Sequence, residues 1–317
     1  MVTDKIVLRD FARDITSQNG ENGIIDKVFK VIGTTGMVCV EFGAHHLTHI
    51  SNVAPLWMDQ GWRTVLIEGD AFLCRGIRDD YGRYRRDHPG CGEVTIVETF
   101  VTPRGEDSLD NILARLKTPV DLDLISIDVD GIDYHIWAGI EVYRPRVVVI
   151  EYNNTAPPDL RLIGKDTGNS FGASALSMYE LGRRKGYALV ACTGCNMVFV
   201  LDEFGGNFAN CNDLDALFDY GALVYVMRTY EGGLFYSKKP THGHNPFSLG
   251  PERSLSADAG VYFPDKSFRT LLDHWIREMR VRARSAPLRR GIFIGLAAIL
   301  RSFHAVFGWL FKDPDIR

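Results

Sequence analysis

The sequence predicts an α/β fold built on a doubly wound, mainly parallel sheet. Short apolar runs rich in β-branched residues recur up to residue 201, and segments of helix length separate them. A run without polar alternation is typical of a strand buried on both faces, as in the centre of a parallel sheet. Several of these runs end on a carboxylate, at the strand end where α/β sheets bind their ligands. The pattern indicates a nucleoside-binding enzyme.

Strands and helices alternate along this part of the chain. The predicted parallel strands cover residues 37–42, 64–68, 94–98, 123–127 and 146–151. The predicted helices cover residues 24–32, 52–60, 73–84, 108–116 and 134–142. Such alternation favours a parallel sheet with right-handed crossovers and helices on both faces.

The alternation stops after Asn153. Residues 154–174 are rich in Pro, Gly and Asn, and a loop of that length suggests a functional role. A helix and two strands joined by a short turn follow, at residues 175–185, 187–191 and 197–201. This hairpin predicts an antiparallel edge on the parallel sheet. Farther along, the pattern predicts helices and a loop-like segment at residues 214–218, 267–284 and 231–260.

The composition is ordinary for a folded protein, with 45% hydrophobic residues, 24% charged residues and a net charge of −4. It argues against global disorder and against general binding of nucleic acid. The six cysteines form no disulfide framework, and the N-terminus lacks the apolar core of a signal peptide. We therefore expect a cytoplasmic protein. Cys192 and Cys195 fit either two partly buried thiols at a turn or a zinc or redox pair.

The acidic strand ends are the first candidates for cofactor contacts. In Glu41-Phe-Gly43, a glycine lets a ligand approach the backbone, although a plain tight turn has the same sequence. Glu68 ends the second strand about 25 residues later, where a carboxylate accepts the ribose hydroxyls of a nucleoside. Glu98 ends the third strand and is expected on the adenine side of the same pocket.

Six short motifs occur in a distinctive order: Ser17-Gln-Asn-Gly-Glu21, Glu41-Phe-Gly-Ala44, Leu66-Ile-Glu-Gly-Asp70, Ser108-Leu-Asp110, Ser126-Ile-Asp-Val-Asp-Gly131 and Val149-Ile-Glu151. Over about residues 15–201, this order resembles the FkbM-type branch of class I S-adenosylmethionine-dependent methyltransferases. The resemblance implies a Rossmann-like, seven-stranded sheet whose last strand is antiparallel. Beyond it, the sequence predicts a C-terminal helical extension. It also implies S-adenosyl-L-methionine as the cofactor, and methyl transfer to an oxygen of a sugar, polyketide or lipid-linked glycan.

The resemblance further implies the cofactor contacts. The implied cofactor-binding residues are Gln18, Glu41, Gly43, Ala44, His45, Glu68, Asp70, Glu98 and Asp128. The sequence as a whole predicts four parts: an N-terminal helical lead-in, a methyltransferase core, an acceptor-side extension and a basic amphipathic tail, at residues 1–36, 37–201, 202–284 and 285–317.

One position departs from the family's pattern. The first motif usually continues to another glycine, and this chain has Leu47 there. Gly43 keeps the turn, but the methionine end of the cofactor would meet His45 or His46. The departure leaves open a non-catalytic, membrane-associated binding protein on a degenerate methyltransferase fold. An NAD-dependent dehydrogenase fits poorly, because two glycines of the dinucleotide fingerprint are missing.

Methyl transfer to a hydroxyl needs a base or a metal. Four side chains near the ends of strands four and five offer oxygen ligands for Mg²⁺: Asp128, Asp130, Glu151 and Asn153. Alternatively, Asp128 orients the cofactor's amino group, Asp130 caps the next helix and Glu151 holds a loop. His135 is a candidate base without metal, or else a histidine that faces solvent or core. The predicted catalytic residues are Asp128, His135 and Glu151.

The C-terminal tail combines basic and apolar residues. All charged residues within 279–312 are basic, and residues 291–311 carry a single charge, Arg301. These features favour a helix that lies in a membrane interface, on the inner face of the membrane. Attachment there suits an enzyme that acts on a lipid-linked acceptor. Packing on the protein or on a second copy of the chain is one alternative. Spanning is the other, although a central arginine disfavours it.

Overall fold

A computed structural model describes residues 5–166, 172–223, 226–228 and 234–236 of the protein. One compact unit ends at Leu223 and is built on a seven-stranded sheet. Its strands are β1 (Val38–Phe42), β2 (Arg63–Glu68), β3 (Val94–Glu98), β4 (Leu124–Ile127), β5 (Val147–Glu151), β6 (Tyr187–Cys192) and β7 (Asn196–Leu201).

The strand order is β3-β2-β1-β4-β5-β7-β6, and β7 alone is antiparallel to its neighbours. This arrangement confirms the predicted fold class, including the antiparallel hairpin at one edge. The order reverses between β1 and β4, which creates the crevice where open α/β sheets bind ligands.

Helices cover both faces of the sheet. They are α1 (Glu21–Ile32), α2 (Ala54–Asp59), α3 (Ala71–Asp87), α4 (Leu109–Arg115), α5 (Asp133–Gly139), α6 (Ala175–Arg184), α7 (Asp202–Gly205) and α8 (Leu214–Leu217). Side chains of α1, α2 and α3 pack in one core cluster, and those of α4, α5 and α6 pack in another. Consecutive strand residues alternate between the clusters, as Cys39 and Val40 do in β1. Burial on both faces explains the uninterrupted apolar strands.

A buried carboxylate joins two segments of the chain at the edge of the sheet formed by the amino ends of the parallel strands. Asp123, just before β4, accepts hydrogen bonds from the N–H groups of Thr35 (2.7 Å), Gly36 (3.0 Å) and Met37 (2.7 Å). These bonds tie the segment that precedes β1 to the start of β4. The carboxylate is therefore a structural one, at the edge opposite the acidic strand ends.

Several elements differ from their predicted bounds. Helix α2 begins at Ala54 rather than at residue 52, because the segment before it makes polar contacts described below. Residues 43–53 form a loop, which carries His45 and His46. Cys192 and Cys195 are buried free thiols, and the metal-type cluster found among the described residues contains neither.

In the second unit, the described residues are two short antiparallel strands, β8 (Val226–Arg228) and β9 (Leu234–Tyr236). Strand β9 lies in a segment that the sequence predicts to be loop-like. The predicted helix at 267–284 and the basic tail lie outside the described residues. No helix in the described ranges combines the length and apolar character needed to cross a membrane.

Candidate active site

The carboxyl ends of the parallel strands bring the predicted acidic residues to one edge of the sheet. Glu68 and Glu98 end β2 and β3 and are in register with each other. Glu151 ends β5, and Asp128 follows the neighbouring strand β4. The candidate site therefore lies along this edge, at the point where the strand order reverses.

Three carboxylates meet beyond β4 and β5. One oxygen from each of Asp128, Asp130 and Glu151 lies within 4.8 Å of the other two. Asp128 and Glu151 are half-buried, whereas Asp130 is exposed and has a left-handed backbone with φ 57°. These are three of the four side chains that the sequence predicts as metal ligands.

Asp133, the first residue of α5, shapes the loop that carries Asp128 and Asp130. Its buried carboxylate accepts hydrogen bonds from the N–H groups of Val129 (2.8 Å) and Gly131 (2.9 Å). Burial raises the pKa of Asp133 to about 6, although these hydrogen bonds oppose the shift. Asp130 does not cap α5, whose N-cap residue is Ile132 and has no side-chain capping hydrogen bond, and Asp133 instead holds the loop before the helix. Sequence reasoning misses it, although an acid just after an Asp-Gly turn is a signal for such a contact.

The clustered carboxylates perturb one another. Burial, followed by the charges of Asp128 and Asp133, raises the pKa of Glu151 to about 10. Burial and the neighbouring acids Asp133 and Asp130 also raise the pKa of Asp128 well above its usual range. Glu151 therefore holds a proton at neutral pH unless a positive charge enters the cluster. A divalent cation brings that charge and prefers carboxylate oxygens as ligands.

Asn153 and His135, the remaining residues predicted for the acceptor side, make contacts within the loop after β5. Asn153 Oδ1 accepts hydrogen bonds from Thr155 N (3.0 Å) and Thr155 Oγ1 (2.5 Å), so the predicted ligand oxygen is engaged within its own loop. His135 is half-buried on α5, with its Nε2 2.7 Å from the carbonyl oxygen of Gly164. Because a carbonyl only accepts, Nε2 carries the proton of this hydrogen bond, which leaves Nδ1 as the ring nitrogen that can accept one.

Glu68 occupies the position predicted for the ribose carboxylate, at the buried end of β2. Its Oε2 accepts a hydrogen bond from His45 N (2.8 Å), and its Oε1 accepts one from Asp70 N (2.8 Å). Each oxygen keeps a second lone pair, so a ribose diol can bind without breaking these bonds. The side chain of Asp70, another predicted cofactor residue, caps α3 by accepting from Phe72 N and Leu73 N.

The β3 end of the edge is partly apolar. Glu98, the predicted adenine-side acid, is exposed and lies 3.0 Å from Arg78 of α3. Phe100 is 72% exposed and lies against Gly69, where an added β-carbon would stand 2.2 Å from the ring. This gives the turn after Glu68 an exposed aromatic neighbour. Sequence reasoning does not identify Phe100, because only the folded turn places it beside Glu68.

Glu41 serves the loop between β1 and α2. Its buried carboxylate accepts hydrogen bonds from Ser51 Oγ (2.6 Å) and Asn52 N (2.7 Å). Asn52 Nδ2 in turn donates to Ser126 Oγ of β4 (3.0 Å). Burial raises the pKa of Glu41 to about 7, against the effect of the hydrogen bonds. Both oxygens that the resemblance assigns to the cofactor are thus engaged in a structural network.

Packing shapes the turn after β1. Gly43 is exposed and has a left-handed backbone, with φ 74°. Ala44 and Leu47 are both buried, and they pack in the core cluster of α1, α2 and α3. His45 is exposed. Leu47, where the motif of the resembled family has a further glycine, therefore makes a core contact, whereas Gly43 and His45 are exposed.

The loop before α1 is fastened to the same region. The buried side chain of Asn22 accepts hydrogen bonds from the N–H groups of residues 15–17 and donates to the carbonyl oxygens of Ser51 and Asn52. One amide thus joins the N-terminal loop to the network around Glu41. The motif Ser17–Glu21 ends one residue before Asn22, and the family resemblance does not reveal the role of Asn22.

The same loop places Gln18 beside the turn between β6 and β7. Gln18 Nε2 lies 3.6 Å and Asn19 Nδ2 lies 3.1 Å from Cys195 Sγ. The next residue, Asn196, is the cross-strand partner of Glu151 in the β5–β7 pair. Gln18, which is predicted to contact the cofactor, therefore lies near the carboxylate cluster. In the strand order, Glu68 lies on one side of this cluster and the turn beside Gln18 lies on the other.

No protein-family model matches the chain, and no curated protein matches it significantly. Among solved structures, the chain is similar to the CMeT domain of the citrinin polyketide synthase, at 13% identity and a TM-score of 0.38 over 57% of this chain and 50% of that one. It thus spans half of that chain's length. It is also similar to the methyltransferase domain of bacterial CtHen1 (14% identity, TM-score 0.36, 56% of this chain and 96% of that chain).

A third similar structure is the glycopeptide N-methyltransferase MtfA in complex with S-adenosyl-L-methionine (12% identity, TM-score 0.31, 56% of this chain and 86% of that chain). These identities and TM-scores are too low to assign a family. The strand order and the antiparallel β7 give the chain the Rossmann-like fold of class I methyltransferases.

Proposed function

We propose that the protein is an S-adenosylmethionine-dependent O-methyltransferase that acts on a hydroxyl of a sugar, glycan or lipid-linked acceptor. One observation carries the proposal: the carboxylates of Asp128, Asp130 and Glu151 converge at the same sheet edge as Glu68. Such an edge offers a ribose-binding acid and, two strands away, groups suited to activating a hydroxyl.

The residues present fit S-adenosylmethionine. Glu68 is buried and keeps lone pairs for the two ribose hydroxyls, and the bonds from His45 N and Asp70 N hold it in place. Gly43 and His45, both exposed residues, lie in the turn next to it. When bound, the cofactor supplies an electrophilic methyl group on a sulfonium, and alignment with the acceptor oxygen provides much of the acceleration.

The residues present also fit a divalent cation such as Mg²⁺. Asp128, Asp130 and Glu151 would hold it, because three carboxylates this close repel one another without a cation and are the ligands that Mg²⁺ prefers. When bound, such a cation lowers the pKa of a coordinated hydroxyl. Asn153 is not part of this proposal, since its oxygen is engaged by Thr155.

The protein's own groups offer two places for the acceptor proton. Glu151 holds a proton in the cation-free site, so it becomes a proton acceptor only when positive charge lowers its pKa. His135 keeps a lone pair on Nδ1 while its Nε2 is tied to Gly164. Activity that depends on the carboxylates but survives His135→Gln would favour the first route, and the reverse would favour the second.

The acceptor class rests on the resemblance and on the tail. The basic and apolar residues of 285–317 suit attachment to an anionic membrane surface, which would bring the enzyme to a lipid-linked glycan. The attraction of basic residues to anionic lipid weakens with salt. Sedimentation of the full-length protein with phosphatidylserine vesicles at low and high salt tests this part. Equal sedimentation with neutral vesicles would contradict it.

The function itself is tested by calorimetry with S-adenosylhomocysteine, followed by a mass-shift assay on a panel of sugars and lipid-linked oligosaccharides. We expect micromolar binding and addition of one methyl group to an acceptor in the panel, as is typical of cofactor-dependent enzymes. Absence of binding at millimolar S-adenosylhomocysteine would overturn the proposal. Binding without transfer to any acceptor would favour the non-catalytic alternative.

A further inference from the structure

A cavity of about 310 Å³ lies beside the edge strand β6, outside the residues assigned above to the cofactor and cation. Its lining comes from the N-terminal segment 7–12, from Asn19 and Ile24, from residues 190–194 at the end of β6, and from residues 209–219. Because β6 and β5 are both antiparallel to β7, they run in the same direction. The end of β6 therefore reaches the same sheet edge as Glu151.

A single turn separates this cavity from the carboxylate cluster. Thr193 and Gly194 line the cavity, and the residue that follows the turn, Asn196, pairs with Glu151. Asn19 also lines the cavity and donates a hydrogen bond across the turn to Cys195 Sγ (3.1 Å). A molecule that fills the cavity and extends past this turn would reach the carboxylates.

The lining combines aliphatic and polar surface and contains one arginine without a carboxylate partner. Leu8, Ile24 and Val190 contribute apolar surface, and Arg9 contributes a guanidinium. Among the described residues, no carboxylate lies within 4.0 Å of Arg9. Asp219, the acid that shares the cavity, uses Oδ1 to accept a hydrogen bond from Gly221 N (2.9 Å).

This lining selects a particular chemistry. The aliphatic part of the lining favours an apolar body, because its burial removes apolar surface from water. A guanidinium without a carboxylate partner favours a carboxylate or phosphate, which it binds with charge-assisted hydrogen bonds. A cavity of this volume is within the range of small-ligand sites.

We propose that the cavity binds the part of the acceptor that carries a carboxylate or phosphate on an apolar body, with Arg9 as the residue that recognises the anion. The role of this ligand as the acceptor rests on the proposed function, whereas the binding of an anionic, apolar molecule in the cavity does not. The anion would lie against Arg9, and the reactive hydroxyl would extend past Thr193 and Gly194 toward Glu151.

Calorimetry with three small probes tests the site on the full-length protein. Hexyl phosphate and hexanoate carry an anion on an apolar chain, and hexanol carries the same chain without charge. We expect both anions to bind at least about tenfold more tightly than hexanol, as a charge-assisted contact predicts. Equal binding of all three probes, or none of any, would overturn the proposal.

Three variants localise the effect. Arg9→Gln should weaken hexyl phosphate binding by about tenfold or more, and Ala216→Trp, which fills the cavity, should weaken all three probes. Arg13→Gln removes an exposed arginine from the same segment outside the lining, and it should bind like the wild type. Equal loss in Arg9→Gln and Arg13→Gln would show nonspecific attraction and overturn the assignment of Arg9.

Parallel titrations with S-adenosylhomocysteine separate this proposal from the proposed function. If hexyl phosphate binds through Arg9 and S-adenosylhomocysteine does not bind, the site stands and its role as an acceptor site is wrong. If S-adenosylhomocysteine binds and the anionic probes do not, the cavity proposal alone is wrong.

Discussion

Gly43 lies so close to the main chain of Asp128 that a β-carbon at position 43 would stand 1.5 Å from the Asp128 carbonyl oxygen. The turn after β1 therefore fits directly against the loop after β4. The first of these segments is the candidate for cofactor contact, and the second carries the carboxylate cluster. The glycine that the family resemblance assigns to the cofactor is thus also required by packing within the protein.

Replacing Gly43 with alanine tests this relationship. Gly43→Ala should lower the free energy of unfolding by about 2–5 kcal/mol, because a left-handed backbone and a main-chain clash act together. Urea denaturation measures the change. Gly61→Ala is a matched control, since Gly61 has a similar φ of 72° but no atom within 4 Å of an added β-carbon. It should cost only about 1 kcal/mol. Equal losses would show that the contact with Asp128 adds nothing.

The fold could be predicted because its cause is visible in the sequence. The central strands are continuous apolar runs because both of their faces are buried, as in Val147–Glu151. Such a run ends on a polar residue at the edge of the sheet where ligands bind. The proximity of Asp128 and Glu151 then follows from neighbouring parallel strands. The hairpin of β6 and β7 was predictable on a different ground, since the five residues between the two predicted strands, 192–196, leave little room for a crossover.

The polar contacts within the loops could not be predicted in the same way. The engagement of Glu41 by Ser51 and Asn52 depends on how residues 43–53 fold back over β1. The role of Asn22 depends on the path of a loop outside the sheet. Such contacts depend on how the folded loops bring residues together, and neither the periodicity of the sequence nor the order of its motifs predicts them. The cavity beside β6 is of the same kind, because its walls come from four separate parts of the chain.

Glu68 should dominate the affinity for the cofactor's ribose. Glu68→Gln removes the charge but keeps the size of the side chain, and it should weaken S-adenosylhomocysteine binding by about 1.5–3 kcal/mol. Glu98→Gln is the control, since Glu98 ends the adjacent strand, is exposed and pairs with Arg78. Its effect should be much smaller. Calorimetry gives both values, and unchanged affinity in Glu68→Gln would show that the ribose assignment is wrong.

Glu151 should make the cation-free protein less stable as the pH rises. The pKa of Glu151 is about 10 in the folded protein and 4.5 as its ordinary value, so the folded state binds more protons between these limits. Stability therefore falls with increasing pH across that window. Glu151→Gln cannot titrate and should reduce the slope. Urea denaturation in EDTA at pH 5, 7 and 9 measures it, and identical slopes in both proteins would contradict the assignment.

Binding of Mg²⁺ should release protons from the same cluster. Because Glu151 is protonated at neutral pH and the pKa of Asp128 is raised as well, a cation that enters must displace a proton. The heat of Mg²⁺ binding at pH 7.5 should therefore differ between phosphate-free buffers of low and high ionisation enthalpy. Asp128→Asn and Glu151→Gln should each weaken Mg²⁺ binding by about tenfold or more, since each removes a ligand charge. Glu98→Gln, which removes a carboxylate from the same edge outside the cluster, should leave both the affinity and the proton release unchanged. Binding without proton release, or equal weakening in all three variants, would show that the cation does not enter between Asp128, Asp130 and Glu151.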